Sequence, residues 1–110
     1  MKAKNLGRLE LLAWVNDVVD ADYPKIENLS DGIAYCQILD YIKPGSGNII
    51  QLHKLNYNAR NKAEYERNIK VFQDAVKKLN LPFTTPSIQN LSNSKFQYNM
   101  ECIQFLFDYS

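Results

Sequence analysis

Hydrophobic positions in this chain recur at intervals of three and four almost throughout, and nowhere do they alternate with polar ones for long enough to demand a strand. The pattern predicts an all-α fold. Gly7 with Glu10 three residues on forms a weakened helix-capping pair, and the run from Leu9 to Val19 is apolar on nearly every face, as expected of a buried first helix. Pro24 separates this helix from the next segment. After a short turn around Ile26 to Leu29, Asp31 or Ser30 can cap a second helix that runs to about Ile42. Between Ile33 and Ile42 only Gln37 and Asp40 are polar, so this helix must be surrounded by others and is expected at the centre of the core. Pro44-Gly45-Ser46-Gly47 stops it.

The stretch from Asn48 to Arg60 has weak periodicity and reads as an irregular loop with a short turn of helix. Beyond it, Tyr65, Ile69, Phe72, Val76 and Leu79 define the clearest amphipathic helix. Its outer face, Lys62, Glu66, Lys70, Asp74 and Lys78, alternates in sign, which suits a solvated scaffold better than a binding surface. Pro82 and Pro86 bracket a loop, with Thr85 and Pro86 suited to the cap and first position of a short helical turn. A last helix, about Lys95 to Tyr109, is expected to bury Phe96, Met100, Ile103 and Phe107 and to expose Gln97, Glu101, Gln104 and Asp108.

Charge is sorted by segment. From Glu10 to Asp40 there are seven acids (Glu10, Asp17, Asp20, Asp22, Glu27, Asp31, Asp40) against Lys25 alone, whereas Tyr41 to Ala63 has no acid and carries Lys43, Lys54, Arg60 and Lys62. A second acid-free run, Ala75 to Met100, holds Lys77, Lys78 and Lys95. With a formal net charge of only +1, such a chain is suited to docking one basic patch on an acidic surface without general stickiness. At 110 residues and 45% hydrophobic it forms one domain, spanning residues 1–110, with a single core. No apolar run approaches a membrane span, and Met1-Lys2-Ala3-Lys4-Asn5 lacks the features of a secretory signal, which points to an intracellular protein with no membrane partner. Cys36 and Cys102 sit among apolar residues and read as small buried hydrophobes, with no disulfide required. The chain also carries twelve asparagines, a bias to which the sequence attaches no function.

Catalysis finds no support in the pattern. There is no glycine-rich phosphate loop, no nucleophile beside a recognisable base and no Cys-x-x-Cys, and the single histidine, His53, excludes a multi-histidine metal site; no cofactor is expected. Asp20 and Asp22 fall in a solvated turn before Pro24.

Three blocks carry a resemblance: Leu12-Ala13-Trp14-Val15-Asn16, Ala34-Tyr35-Cys36-Gln37 and Lys95-Phe96-Gln97-Tyr98-Asn99, with Lys25-Ile26-Glu27, Pro44-Gly45-Ser46 and Glu64-Tyr65 in the same order between them. Over essentially residues 5–109 the chain resembles the calponin-homology domain of the end-binding microtubule plus-end tracking proteins. The resemblance implies an all-helical bundle that binds the acidic microtubule lattice between protofilaments, near growing ends, with a cytoplasmic location on the cytoskeleton and spindle. It places Lys54 at a lattice-contacting lysine, Arg60 at a basic position, Lys95 at the lysine that opens the final helix, and Gln97 in the same motif as Lys95. His53, Asn56 and Asn93 stand where the family has bases, and Gly47-Asn48 lengthens one loop. The resemblance further implies that the natural protein dimerises through a separate carboxyl-terminal coiled coil, the isolated domain being a monomer.

Plainer readings stand beside these. Trp14 is expected to pack in the core with Tyr35 and the last helix. Ser94 and Gln97 are spaced as a capping box, which would occupy Gln97 without a partner. Lys95, a cation at the start of a helix, opposes the helix dipole and so looks retained for a partner. Rival functions are an actin-binding or scaffolding domain of the same family and, from another class, a small helical nucleic-acid binder. The pI near 7.7 and the lack of a continuous basic helix face speak against nucleic acid.

Overall fold

A computed structural model describes residues 6–46 and 48–110, so the reading of the amino terminus and the Gly47 part of the turn lie outside the described residues. The fold is organised around the most apolar helix. Five α-helices, α1 (Arg8–Val19), α2 (Ile33–Ile42), α3 (Lys62–Lys78), α4 (Ile88–Ser92) and α5 (Phe96–Tyr109), are joined with two 3₁₀ turns, Ile26–Asp31 and Leu52–Lys54, and no strand occurs among the described residues. Ala34, Tyr35, Cys36, Ile38 and Leu39 of α2 are all fully buried, and α1, α3 and α5 each pack against it. The all-α architecture and the central second helix are as the hydrophobic pattern implies.

The N-cap of α2 is Gly32, neither Asp31 nor Ser30, and Asp31 Oδ1 accepts the N–H of Ile33, the first helical residue, at 2.9 Å. Gly32 between them has φ +78°, and a Cβ there would lie 2.9 Å from the Ile69 backbone nitrogen, so both conformation and space require glycine. Within α2 the Tyr35 ring stacks on Phe72 of α3 at 5.2 Å, and its hydroxyl donates to Asn99 Oδ1 of α5. One side chain thereby joins three helices.

Several details differ from the sequence reading. Helix α1 is not buried all round: Leu11 and Val15 are fully enclosed, while Leu9 is 72% exposed, because α1 lies chiefly against α2 and α5 and turns its remaining face to solvent. The capping pair survives as its glutamate half, with the Gly7 N–H donating to Glu10 Oε1 at 3.1 Å. Trp14 meets the last helix through Phe107, edge on at 5.3 Å, but the ring partner of Tyr35 is Phe72. Helix α4 is capped by Ser87, whose Oγ accepts the Asn90 N–H at 3.1 Å. Thr85 and Pro86 instead offer oxygens to Gln73 Nε2, at 3.3 and 2.6 Å. In α5 the buried stripe is Asn99, Cys102, Ile103 and Leu106, with Met100 and Phe107 only half-buried and Phe96 39% exposed. The stripe is turned by the polar contacts of Asn99, which draw that residue inward. Cys36 and Cys102 are free and buried, and loss of hydration pushes both thiols up, Cys36 to about 12.

The connection from α1 to α2 is held by polar clamps. Asn16 grips the Tyr23 backbone with both ends of its amide, at 3.0 and 2.8 Å, and the Tyr23 hydroxyl donates to the Asp31 carboxylate at 3.0 Å. Burial raises the Asp31 carboxyl above its ordinary range even though the Ile33 and Tyr23 donors pull it back. A raised carboxyl binds its proton more tightly in the folded chain than in the unfolded one, so this group contributes less stability as pH climbs through and above the ordinary carboxylate range. Asp31→Asn keeps an acceptor for Ile33 and removes the titration. The stability of the variant relative to the parent should therefore rise with pH across the acid range in urea melts; a difference independent of pH contradicts the assignment.

Candidate docking surface

The loop between the second 3₁₀ turn and α3, together with that turn, carries three of the sequence-derived site residues, and its shape is set from within. Leu55, 7% exposed, anchors it to the core. Asn68 of α3, 1% exposed, then takes hold of the next residue: its Oδ1 accepts the Asn56 N–H at 2.8 Å, and its Nδ2 donates to the Asn56 carbonyl at 3.0 Å and to the Asp31 carbonyl at 2.9 Å. Glu64 closes the far side, with Oε1 accepting the Arg60 N–H at 2.8 Å and Oε2 the Asn56 Nδ2 at 3.2 Å. Asn61 caps α3 by accepting the Glu64 N–H at 2.9 Å. With the backbone turned inward on these groups, His53, Lys54 and Arg60 all stand exposed.

Lys95 occupies the N-cap position of α5, exposed, with φ −90° and ψ 130°. Its carbonyl accepts the Asn99 side-chain amide at 2.9 Å, and the same amide reaches Ser30 Oγ at 3.1 Å and the Leu91 carbonyl at 3.3 Å. Gln97, in the first turn of α5, is exposed as well. The Ser94–Gln97 capping box does not form: Ser94 lies in the left-handed region at φ 58°, and the α5 N-terminus carries no side-chain cap. A left-handed Ser94 cannot present its hydroxyl as an N-cap, so Gln97 has no capping duty. Asn93, also exposed, is the C-cap of α4, and Asn56 spends its side chain on the loop itself.

Two anchored segments thus connect through one line of buried amides, from Asn56 to Asn68 to Asp31, and from the adjoining Ser30 to Asn99 to Lys95. Both asparagines escaped sequence reading because each looked like a polar residue beside an apolar helical stripe. The signal that could have found them is the asparagine excess itself, which in part serves these clamps.

Few of the charges on the described residues are paired within the fold. The one ion pair among the described residues is Lys70–Asp74 at 3.4 Å on the outer face of α3, two exposed groups that neutralise each other. Lys43 lies 5.3 Å from the centre of the Tyr109 ring. Lys54, Arg60 and Lys95 have no such partner among the described residues. Beside Lys95, Phe96 helps line a surface cleft of about 520 Å³ with Leu9, Leu12 and Ile26, and Arg8, Lys25 and Glu27 share that lining. Lys25, isolated among acids in the sequence, lies on this cleft. No group of His, Cys, Asp or Glu among the described residues could hold a metal ion. No helix among them is long and apolar enough to cross a membrane. The loop and the start of α5 thus present exposed cations that form no ion pair among the described residues.

Comparison with known proteins bears on the fold as a whole. The family model described as the calponin homology (CH) domain matches residues 7–110. A solved chain from work on the structural basis of microtubule plus end tracking by XMAP215, CLIP-170 and EB1 superposes with a TM-score of 0.80 at 33% sequence identity, covering 91% of this chain and 81% of that one. With a bundle of this topology and a match along almost its whole length, the chain belongs to the calponin-homology domain family.

Proposed function

We propose that this chain is the microtubule-binding module of an end-binding, plus-end tracking protein, and that it regulates microtubule dynamics by docking a basic surface on the acidic tubulin lattice between protofilaments. The observation that carries the reading is the likeness, over nine-tenths of the chain, to a structure from work on plus-end tracking. The supporting chemistry is that Lys54, Arg60 and Lys95 are exposed and without ion-pair partners among the described residues, on segments whose backbones are clamped to the core. Long-range attraction steers the domain to the acidic wall, and the rigid segments then select a seat that fits them. His53 and Gln97 lie beside these cations in the chain and complete the contact set. The domain acts by binding and not by catalysis, as a monomer in isolation, on cytoskeletal and spindle microtubules, with neither nucleic acid nor membrane as a partner.

Microtubule cosedimentation tests this directly. Lys95→Glu and Lys54→Glu should each weaken binding by about tenfold or more, and parent binding should fall between about 50 and 200 mM salt, since exposed charges act through a screened field. Retained binding in both variants, or pelleting with filamentous actin in place of microtubules, overturns the reading.

His53→Ala should weaken microtubule cosedimentation by less than Lys54→Glu does while remaining folded by thermal melting. Binding equal to the parent removes His53 from the contact set.

A further inference from the structure

Four large hydrophobic side chains are exposed among the described residues, Leu9, Tyr41, Tyr57 and Phe96, and Tyr57 alone among them lies between Lys54 and Arg60 in the chain. We propose that Tyr57 is the apolar anchor of the docking surface, a ring that the loop holds out for burial against the partner's acidic wall between the two cations; this deepens the microtubule reading and rests on it.

About half of this ring is left to solvent: Tyr57 is 54% exposed, whereas Leu55 two residues earlier is buried in the core. The backbone beneath it is nevertheless fixed more firmly than an idle surface turn requires. The residue before it has both its N–H and its carbonyl bound by the buried Asn68 amide, and the residue after it donates its N–H to Asn56 Oδ1 at 2.9 Å. The ring's own position is set as well. Its hydroxyl donates to the Leu52 carbonyl at 3.4 Å, which lays the ring back toward the Leu52–Lys54 turn that presents His53 and Lys54. A tyrosine so held loses little freedom on binding, and tyrosine is one of the side chains enriched where the binding energy of a protein interface is concentrated.

The two kinds of side chain divide the labour. Lys54, Arg60 and Lys95 act at long range and respond to salt, whereas the ring acts only once it is removed from water and does not. It also discriminates between partners. A flexible polyanion neutralises the lysines without covering the ring, but a folded acidic wall does both.

The test compares Tyr57→Ala and Tyr57→Phe with the parent, measuring microtubule cosedimentation across a salt series, heparin binding, and thermal melting to confirm that each is folded. Tyr57→Ala should bind microtubules about tenfold more weakly with the parent's salt slope, heparin binding unchanged, and Tyr57→Phe should stay within about twofold of the parent. Parent-like binding by Tyr57→Ala overturns the anchor while leaving the microtubule reading intact. A weakened Tyr57→Ala with an altered salt slope or a parallel loss of heparin binding also overturns it, since the ring would then serve only to position Lys54. Failure of the parent itself to cosediment removes the microtubule reading and the anchor together.

Discussion

A buried primary amide must satisfy its hydrogen-bonding groups inside the protein or forfeit about 1–3 kcal/mol for each one left unpaired. Asn68 and Asn99, at 1% and 0% exposure, are under that constraint, and the rest of the molecule is arranged around meeting it. Asn68 takes the Asn56 and Asp31 backbones; Asn99 takes Tyr35, Ser30, Leu91 and Lys95. Among the described residues no buried side-chain nitrogen or oxygen lacks a partner. Apolar packing alone would tolerate small rotations of α3 and α5, but a closed polar network admits one register. Its outer ends are the loop of Lys54 and the start of α5 at Lys95, so the constraint that gives the core its uniqueness also gives those cations rigid supports.

Electrostatics then depends on which charges are occupied. Asp31 is turned inward to Tyr23 and Ile33, Lys70 and Asp74 cancel on the outer face of α3, and Lys43 rests near an aromatic ring. The charges left over include Lys54, Arg60 and Lys95, which pair with no acid among the described residues and whose field is available to an acidic partner. The molecule is nearly neutral in sum, yet these exposed cations are left without a compensating acid among the described residues.

The helices were legible in the sequence wherever period and apolar content agreed. Helix α2, with no polar residue but Gln37 and Asp40 between positions 33 and 42, could only be central, and α3 showed its buried edge at Ile69, Phe72 and Val76. The failures were decided by contacts that periodicity cannot see. Leu9 and Phe96 read as core by their chemistry yet line an open cleft, because α1 has its main neighbours on one side and because Asn99 rotates the start of α5. Ser94 and Gln97 had the spacing of a cap, but a left-handed Ser94 ended that possibility. The exposed cations could be named from charge sorting and family likeness; the amides that hold their backbones could not, since an asparagine on a helix is read as solvated until its partners are known.

The direct measurement of this constraint is amide hydrogen exchange at Asn56. That N–H belongs to an exposed residue outside any helix, and the Asn68 side chain is the acceptor that shields it. It should exchange slowly in the parent, as slowly as amides inside α2, and become fast in Asn68→Ala while the α2 amides stay protected. Exchange of the Asn56 amide at the rate of a freely solvated peptide in the parent would show that the loop is not held, and the account of a rigid docking surface would fail with it.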